Sequence, residues 1–151
     1  MSEVALVVEQ SARRENLARF LEFVDDACQR LNADEAAAYA VRLAVEEVCV
    51  NLIDYGYAGA PPGPIRIEVK REGDLLSVAI TDRGAPFHPD QAPAPDLSSD
   101  VDQRPIGGLG WHLVKNMVDQ LAYRTDAACG NRLTFTKRST LKEGIGNGIV
   151  R

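Results

Sequence analysis

The chain has 151 residues, of which 45% are hydrophobic and 26% charged, and its net charge at neutral pH is −5. That length suits one domain with a sizeable core, while the acidic balance and the lack of any Lys/Arg cluster exclude a broad nucleic-acid face. The opening MSEVALVVEQ has an acid at position 3 and only a short apolar run, so it reads as neither signal peptide nor membrane span, and a cytoplasmic protein is expected.

Taken in chain order, Val4 to Val8 predicts a first strand. Ser11 is placed to cap a helix running to about Leu31, with Leu17, Phe20, Leu21, Val24 and Leu31 near helical spacing. Asn32 followed by Glu35 resembles a cap for a second, alanine-rich helix. That helix is expected to reach Asp54 or Tyr55 and to stop where Gly56, Gly59, Pro61, Pro62, Gly63 and Pro64 crowd together. IRIEVKR alternates as a strand with one wet face, Glu72-Gly73-Asp74 makes a turn, and LLSVAITD comes next as a more buried strand. From Ala85 to Arg104 no periodicity holds, and a loop of that length inside a compact domain is usually functional or disordered. GGLGWHLVKNMVDQL then opens with glycines into a helix, and LAYRTD and NRLTFTK close the chain as a strand pair joined by residues 127–130. Residues 1–138 are therefore expected to form the domain, with 139–151 as a flexible Gly-rich tail. The order β-α-α-β-β-loop-α-β-β predicts an α+β fold: a single mixed, mainly antiparallel sheet with three helices on one face. Cys28, Cys49 and Cys129 lie far apart without CxxC spacing and read as reduced thiols.

Three stretches carry chemistry. At about 100° per residue, Val41, Val45, Val48, Leu52 and Tyr55 make the core stripe of the second helix. Glu47 and Asn51 lie one turn apart on another stripe, joined by Asp54, and Glu46 points elsewhere. Such a pair can hold a hard cation through one oxygen plus waters, or seat a general base beside a phosphoryl acceptor; it is also what a solvated flank looks like. In LLSVAITDRGAPF, Asp82 shares a strand face with Val78 and Ile80 and so points inward, where a carboxylate needs a partner such as the exocyclic amine of adenine. Gly84 allows a flat ring to approach the backbone, although Asp-x-Gly equally caps a plain turn. IGGLG, residues 106–110, presents free N–H groups at a helix start, as an anion site or as an ordinary tight turn. It is not a P-loop, because Gly-Lys-Ser/Thr is missing.

The order of these stretches, E-x-x-x-N on a helix, D-x-G-x-P-F after a buried strand, then G-G-L-G opening a helix, resembles the ATP-binding domain of the GHKL superfamily (gyrase, histidine kinases, MutL and relatives). LAVEEVCVNLIDYGY, GGLGWHLVKNMVDQLAYR and GNRLTFTK look most like its anti-sigma-factor serine kinases, over residues 5–138. The resemblance implies a histidine-kinase-like ATPase sandwich with ATP and Mg2+ as cofactors. It implies Glu47 as general base, Asn51 as Mg2+ ligand, Asp82 on the adenine amine, Gly84 beside the ring, and Gly108 and Gly110 around the phosphates. Residues 85–106 would be a lid ending at Arg104, a candidate phosphate contact. The implied activity is ATP-dependent serine phosphorylation of an anti-anti-sigma, STAS-type partner, by a homodimer that also sequesters a sigma factor, without contacting nucleic acid or membrane directly. The alternative is a non-catalytic ATP-binding switch that captures a sigma factor or STAS partner. One departure is Asn131, where relatives often carry Thr near adenine. His88 and His112 match no phospho-accepting histidine segment.

Overall fold

The computed structural model describes residues 5–86 and 108–140. Five strands form one sheet in the order β1-β2-β3-β5-β4, with β1 at Leu6–Ser11, β2 at Pro64–Glu72, β3 at Leu75–Asp82, β4 at Gln120–Asp126 and β5 at Gly130–Arg138. The helices are α1, Leu17–Arg30, α2, Glu35–Asn51, and α3, Gly108–Met117. All neighbouring strands are antiparallel, so among the described strands the sheet is antiparallel throughout and not mixed. The physical reason is connectivity. Two helices between β1 and β2 bring the chain back to the end it left, which reverses the next strand. The strands β3 and β4, joined by the connection that contains α3, do run in the same direction, but β5 lies between them and runs against both.

The alternation read from the sequence decides which face is covered. Val69, Val78 and Phe135 form one cross-strand row and Ile67, Ile80 and Leu133 the next, all buried under the helices. Phe20, Val24, Val41 and Val45 are buried from the helix side in the same cluster. Each such aliphatic or aromatic side chain stabilises the fold by about 1.5–3 kcal/mol relative to exposure. The other sheet face is wet and carries ion pairs from Arg66 to Glu9 and Glu68 and from Arg132 to Glu68. Among the described residues no helix is long and apolar enough to cross a membrane.

Local signals are less decisive at helix starts. Ser11 does not cap a helix; it ends β1 and accepts from the Asn16 amide, and a 3₁₀ turn at Arg14–Asn16 precedes α1. The cap of α2 is Asp34, whose Oδ1 accepts from Ala37 N at 2.8 Å. Asn32 instead takes the left-handed turn between the helices, at φ 57. The expected turn at Gly73 has φ 61. Ser139 is fully buried and Thr140 hydrogen-bonds Asp34, so these first two residues of the expected tail are built into the domain. Cys28 and Cys49 are buried, with thiols pushed up by burial to about 11 and about 12, while Cys129 is exposed.

The molecule has two poles. At one, β3 ends at Asp82 and α2 runs out into a five-residue π-helical turn, Leu52–Gly56. At the other, α2 begins beside Ser139.

Candidate active site

The first wall is the last turn of α2. Asn51 Nδ2 donates to Glu47 Oε2 at 3.3 Å. An acceptor-only carboxylate fixes which way the amide faces, so Asn51 Oδ1 is turned away, and among the described residues it is buried without a hydrogen-bond partner. An orphaned buried acceptor costs about 1–3 kcal/mol, which a cation or a ligand donor would remove. Burial pushes the Glu47 carboxyl up, the Asn51 amide opposes that shift and Glu46 adds to it. A raised carboxyl is a better proton acceptor, which is the property a general base needs.

The π-helical turn redirects the chain after α2. With its wider turn, residues beyond Asn51 no longer advance at the α-helical angle. Tyr55, expected on the core stripe, is 49% exposed. Asp54, expected beside Glu47 and Asn51, is held by Arg14 Nη2 at 2.6 Å. Tyr57 packs against the core in place of Tyr55. Its hydroxyl donates to Pro64 O and accepts from Arg83 N, both at 2.7 Å, bracing the start of β2 against the end of β3.

The second wall is the last core-facing row of the sheet, Ile65, Asp82, Asn131 and Thr125 in register. Apolar rows give way here to polar side chains. Asp82 is 6% exposed; its Oδ1 accepts from Gly84 N at 2.8 Å and from Asn131 Nδ2 at 2.9 Å. Desolvation pushes its carboxyl up, against the pull of those two donors. Gly84 lies against the end of the π-helical turn. A Cβ there would come within 2.2 Å of Gly56 O, and Ala85 N donates to that same oxygen at 2.8 Å. Only glycine fits, so the first two walls are joined backbone to backbone. Gly130 serves the same pole, since a Cβ on it would meet Asp82 O at 2.5 Å and its φ is +85.

The third wall is the start of α3, where Gly108 and Gly110 lie in the first turn. Val118 and Asp119 after α3 sit at the far pole, where Asp119 N donates to Thr136 O. The helix packs on α2, and since its last residues lead into the far pole, its glycine-opened start is the end away from that pole. Helix-start N–H groups are suited to phosphate oxygens. Arg104 and the stretch 87–107, most of the expected lid, lie outside the described residues, as does His88. Among the described residues no group of three or more His, Cys, Asp or Glu could hold a metal.

The profile of the histidine kinase-like ATPase domain matches residues 10–137. This chain belongs to that family. It is 28% identical over 102 residues to the serine/threonine-protein kinase BtrW of Bordetella bronchiseptica, covering 67% of this chain and 70% of that protein. It is 26% identical over 134 residues to the anti-sigma F factor of Bacillus cytotoxicus, with 88% and 86% covered. To the serine-protein kinase RsbW of Bacillus subtilis it is 33% identical over 102 residues, 64% and 62% of the two chains. The fold is also that of the crystal structure of the RsbU and RsbW domains of a Mycobacterium tuberculosis protein, at TM-score 0.65 and 17% identity. This match covers 90% of this chain and 32% of that longer one.

Two residues of the site escape a reading by motif. Asn131 stands out in sequence only as a departure, yet it is 3% exposed and bonded to Asp82 and to Gly84 O. Thr125 donates to Asn131 Oδ1 at 2.6 Å. The strand register that pairs Asn131 with Asp82, and Thr125 with Asn131, was the missing signal.

Proposed function

We propose that this protein is an anti-sigma-type serine kinase, using ATP to phosphorylate a serine of a STAS-type anti-anti-sigma partner. The observation that carries the reading is the buried, partnerless Asn51 Oδ1 beside Glu47, on a helix end fastened through Gly56 and Gly84 to the strand that bears Asp82. The names of the related serine-protein kinases and anti-sigma factor support the same class.

Asp82 accepts the amine of the adenine, with Gly84 under the ring, and the N–H groups at Gly108 and Gly110 hold phosphate oxygens. Asn51 Oδ1 is an oxygen ligand suited to Mg2+, which when bound supplies neutralisation of phosphate charge. Glu47 takes the proton of the serine hydroxyl as its oxygen bonds to the γ-phosphorus. The bond from that phosphorus to the bridging oxygen breaks, and ADP leaves. Sequestration of a sigma factor, a homodimer and a cytoplasmic location complete the reading, as the sequence resemblance implies.

The test is transfer of labelled γ-phosphate to the serine of the STAS partner in the presence of Mg2+. Label is expected on the partner and is expected to fall by at least about 100-fold with Glu47→Gln. ATP binding without any transfer would replace the kinase with a nucleotide-dependent binding switch.

A further inference from the structure

The aim of Asp82 depends on a neighbour. Asn131 Nδ2 faces two acceptors, Asp82 Oδ1 and Gly84 O, each at 2.9 Å. Flipping the amide would set its oxygen against both, so the orientation is fixed. Asn131 Oδ1 then faces Thr125 Oγ1 at 2.6 Å, and the threonine hydroxyl must be the donor. The chain of bonds therefore has one direction, from Thr125 through Asn131 to Asp82. With Gly84 N also donating to Oδ1, both bonds to Asp82 fall on one oxygen. Among the described residues Oδ2 has no donor.

We propose that Asn131, held by Thr125, is the positioning residue that makes this site read a 6-amino purine and reject a 6-oxo purine. It does so by occupying one oxygen of Asp82 and leaving the other ionised and open. This deepens the nucleotide-site reading above and rests on it. An ionised Oδ2 is acceptor only: a ligand N–H in front of it is attractive and a ligand carbonyl repulsive. A protonated Asp82 would instead carry an O–H that welcomes the carbonyl, and the discrimination would go. Burial pushes Asp82 toward that protonated form, and the donors from Asn131 and Gly84 oppose it. The neighbouring ionisable groups give little relief. The Arg83 guanidinium is drawn away to Ala128 O at 2.9 Å, and the Tyr57 hydroxyl is spent on Pro64 O and Arg83 N.

The experiment is calorimetric titration of ATP and of inosine triphosphate, which present a 6-amino group beside a bare N1 and a 6-oxo group beside an N1–H respectively, between about pH 5 and about pH 8. It uses the wild type, Asn131→Leu and Thr125→Val. Wild type is expected to prefer ATP, with affinity falling as acid protonates Asp82. In Asn131→Leu the preference should shrink by about tenfold, the worth of one lost charge-assisted hydrogen bond, and the acid fall in ATP affinity should move to higher pH. Thr125→Val should shift both in the same direction by less, and it carries the test if Asn131→Leu does not fold. An unchanged ATP-to-inosine ratio and an unchanged acid midpoint in the folded variants overturn the role of Asn131 while leaving the nucleotide site standing. Wild type binding neither nucleotide overturns the site itself.

Discussion

The two poles of the domain both bury polar side chains, and they do so in opposite ways. At the far pole Arg71 uses all five of its N–H groups, on Leu31 O, Gly73 O, Asn32 O and the carbonyl and hydroxyl of Ser139. Asp34 beside it accepts from Ala37 N, Thr140 N and Thr140 Oγ1. Within this network every Arg71 N–H is used, and it ties α1, α2, β2 and the end of β5 together; outside it, the Thr136 hydroxyl is buried with no partner among the described residues. At the nucleotide pole, among the described residues, Asn51 Oδ1 is orphaned and Asp82 is bonded through one oxygen only. A saturated network stabilises; an unsaturated one holds acceptors ready for a ligand at some cost to the empty protein.

The comparison can be broken most forcefully at Glu47. Glu47→Gln should lower phosphoryl transfer by about 10²–10⁴-fold with ATP affinity nearly unchanged, read by transfer kinetics beside calorimetry. Equal loss of binding would make Glu47 a ligand contact. Next comes Arg71→Met, which should cost about 2–4 kcal/mol of stability, because several carbonyls lose their donor. ATP affinity should stay level, and denaturant unfolding reads the first effect. Asp82→Asn should weaken ATP binding by about 1–3 kcal/mol while raising the melting temperature of the nucleotide-free protein at neutral pH. Smallest is Asn51→Ala. It should leave the unfolding midpoint level or slightly higher, since an orphaned acceptor is removed, and should abolish the Mg2+-dependent part of ATP affinity. Retained metal dependence would remove Asn51 from the metal site.

Acid and base should also tell the poles apart. Asp34 has its carboxyl held down, first by the Ala37 N–H. Its contribution is present above the unfolded-state value and is lost as pH falls through the folded one. Asp82 and Glu47 are pushed up by burial. Their folded forms bind the proton more tightly, so that contribution is complete below the unfolded-state values and is lost as pH rises through the folded ones. Stability profiles of Asp34→Asn should be flatter on the acid side, and those of Asp82→Asn flatter from about pH 4 upward.

Much of this is legible residue by residue. The alternation of IRIEVKR and LLSVAITD places Ile67, Val69, Val78 and Ile80 in the core, and a period of two puts Asp82 on the same face. The helix of Glu47 and Asn51 is equally plain, as is Gly73 in its turn. Extrapolating the α-helical angle past Asn51 fails for Tyr55 and Asp54, because a π-helical turn adds a residue without announcing itself in composition. Asp34 is hard to pick out as a cap because Asn32 offers a similar pattern two residues earlier, and backbone dihedrals choose between them.

What the sequence determined by itself is which side chains are chemically capable: a carboxylate and an amide one turn apart, an inward aspartate, and glycines at a helix start. Periodicity is local, and local geometry needs only neighbours along the chain. What tertiary structure decided is their company. That Asn131 and Thr125 line up with Asp82 depends on the register of strands far apart in sequence, and the fit of Gly84 against Gly56 depends on where a helix end and a strand end meet. Such contacts are set by the packing of the whole sheet under its helices, so no short stretch of the chain contains them.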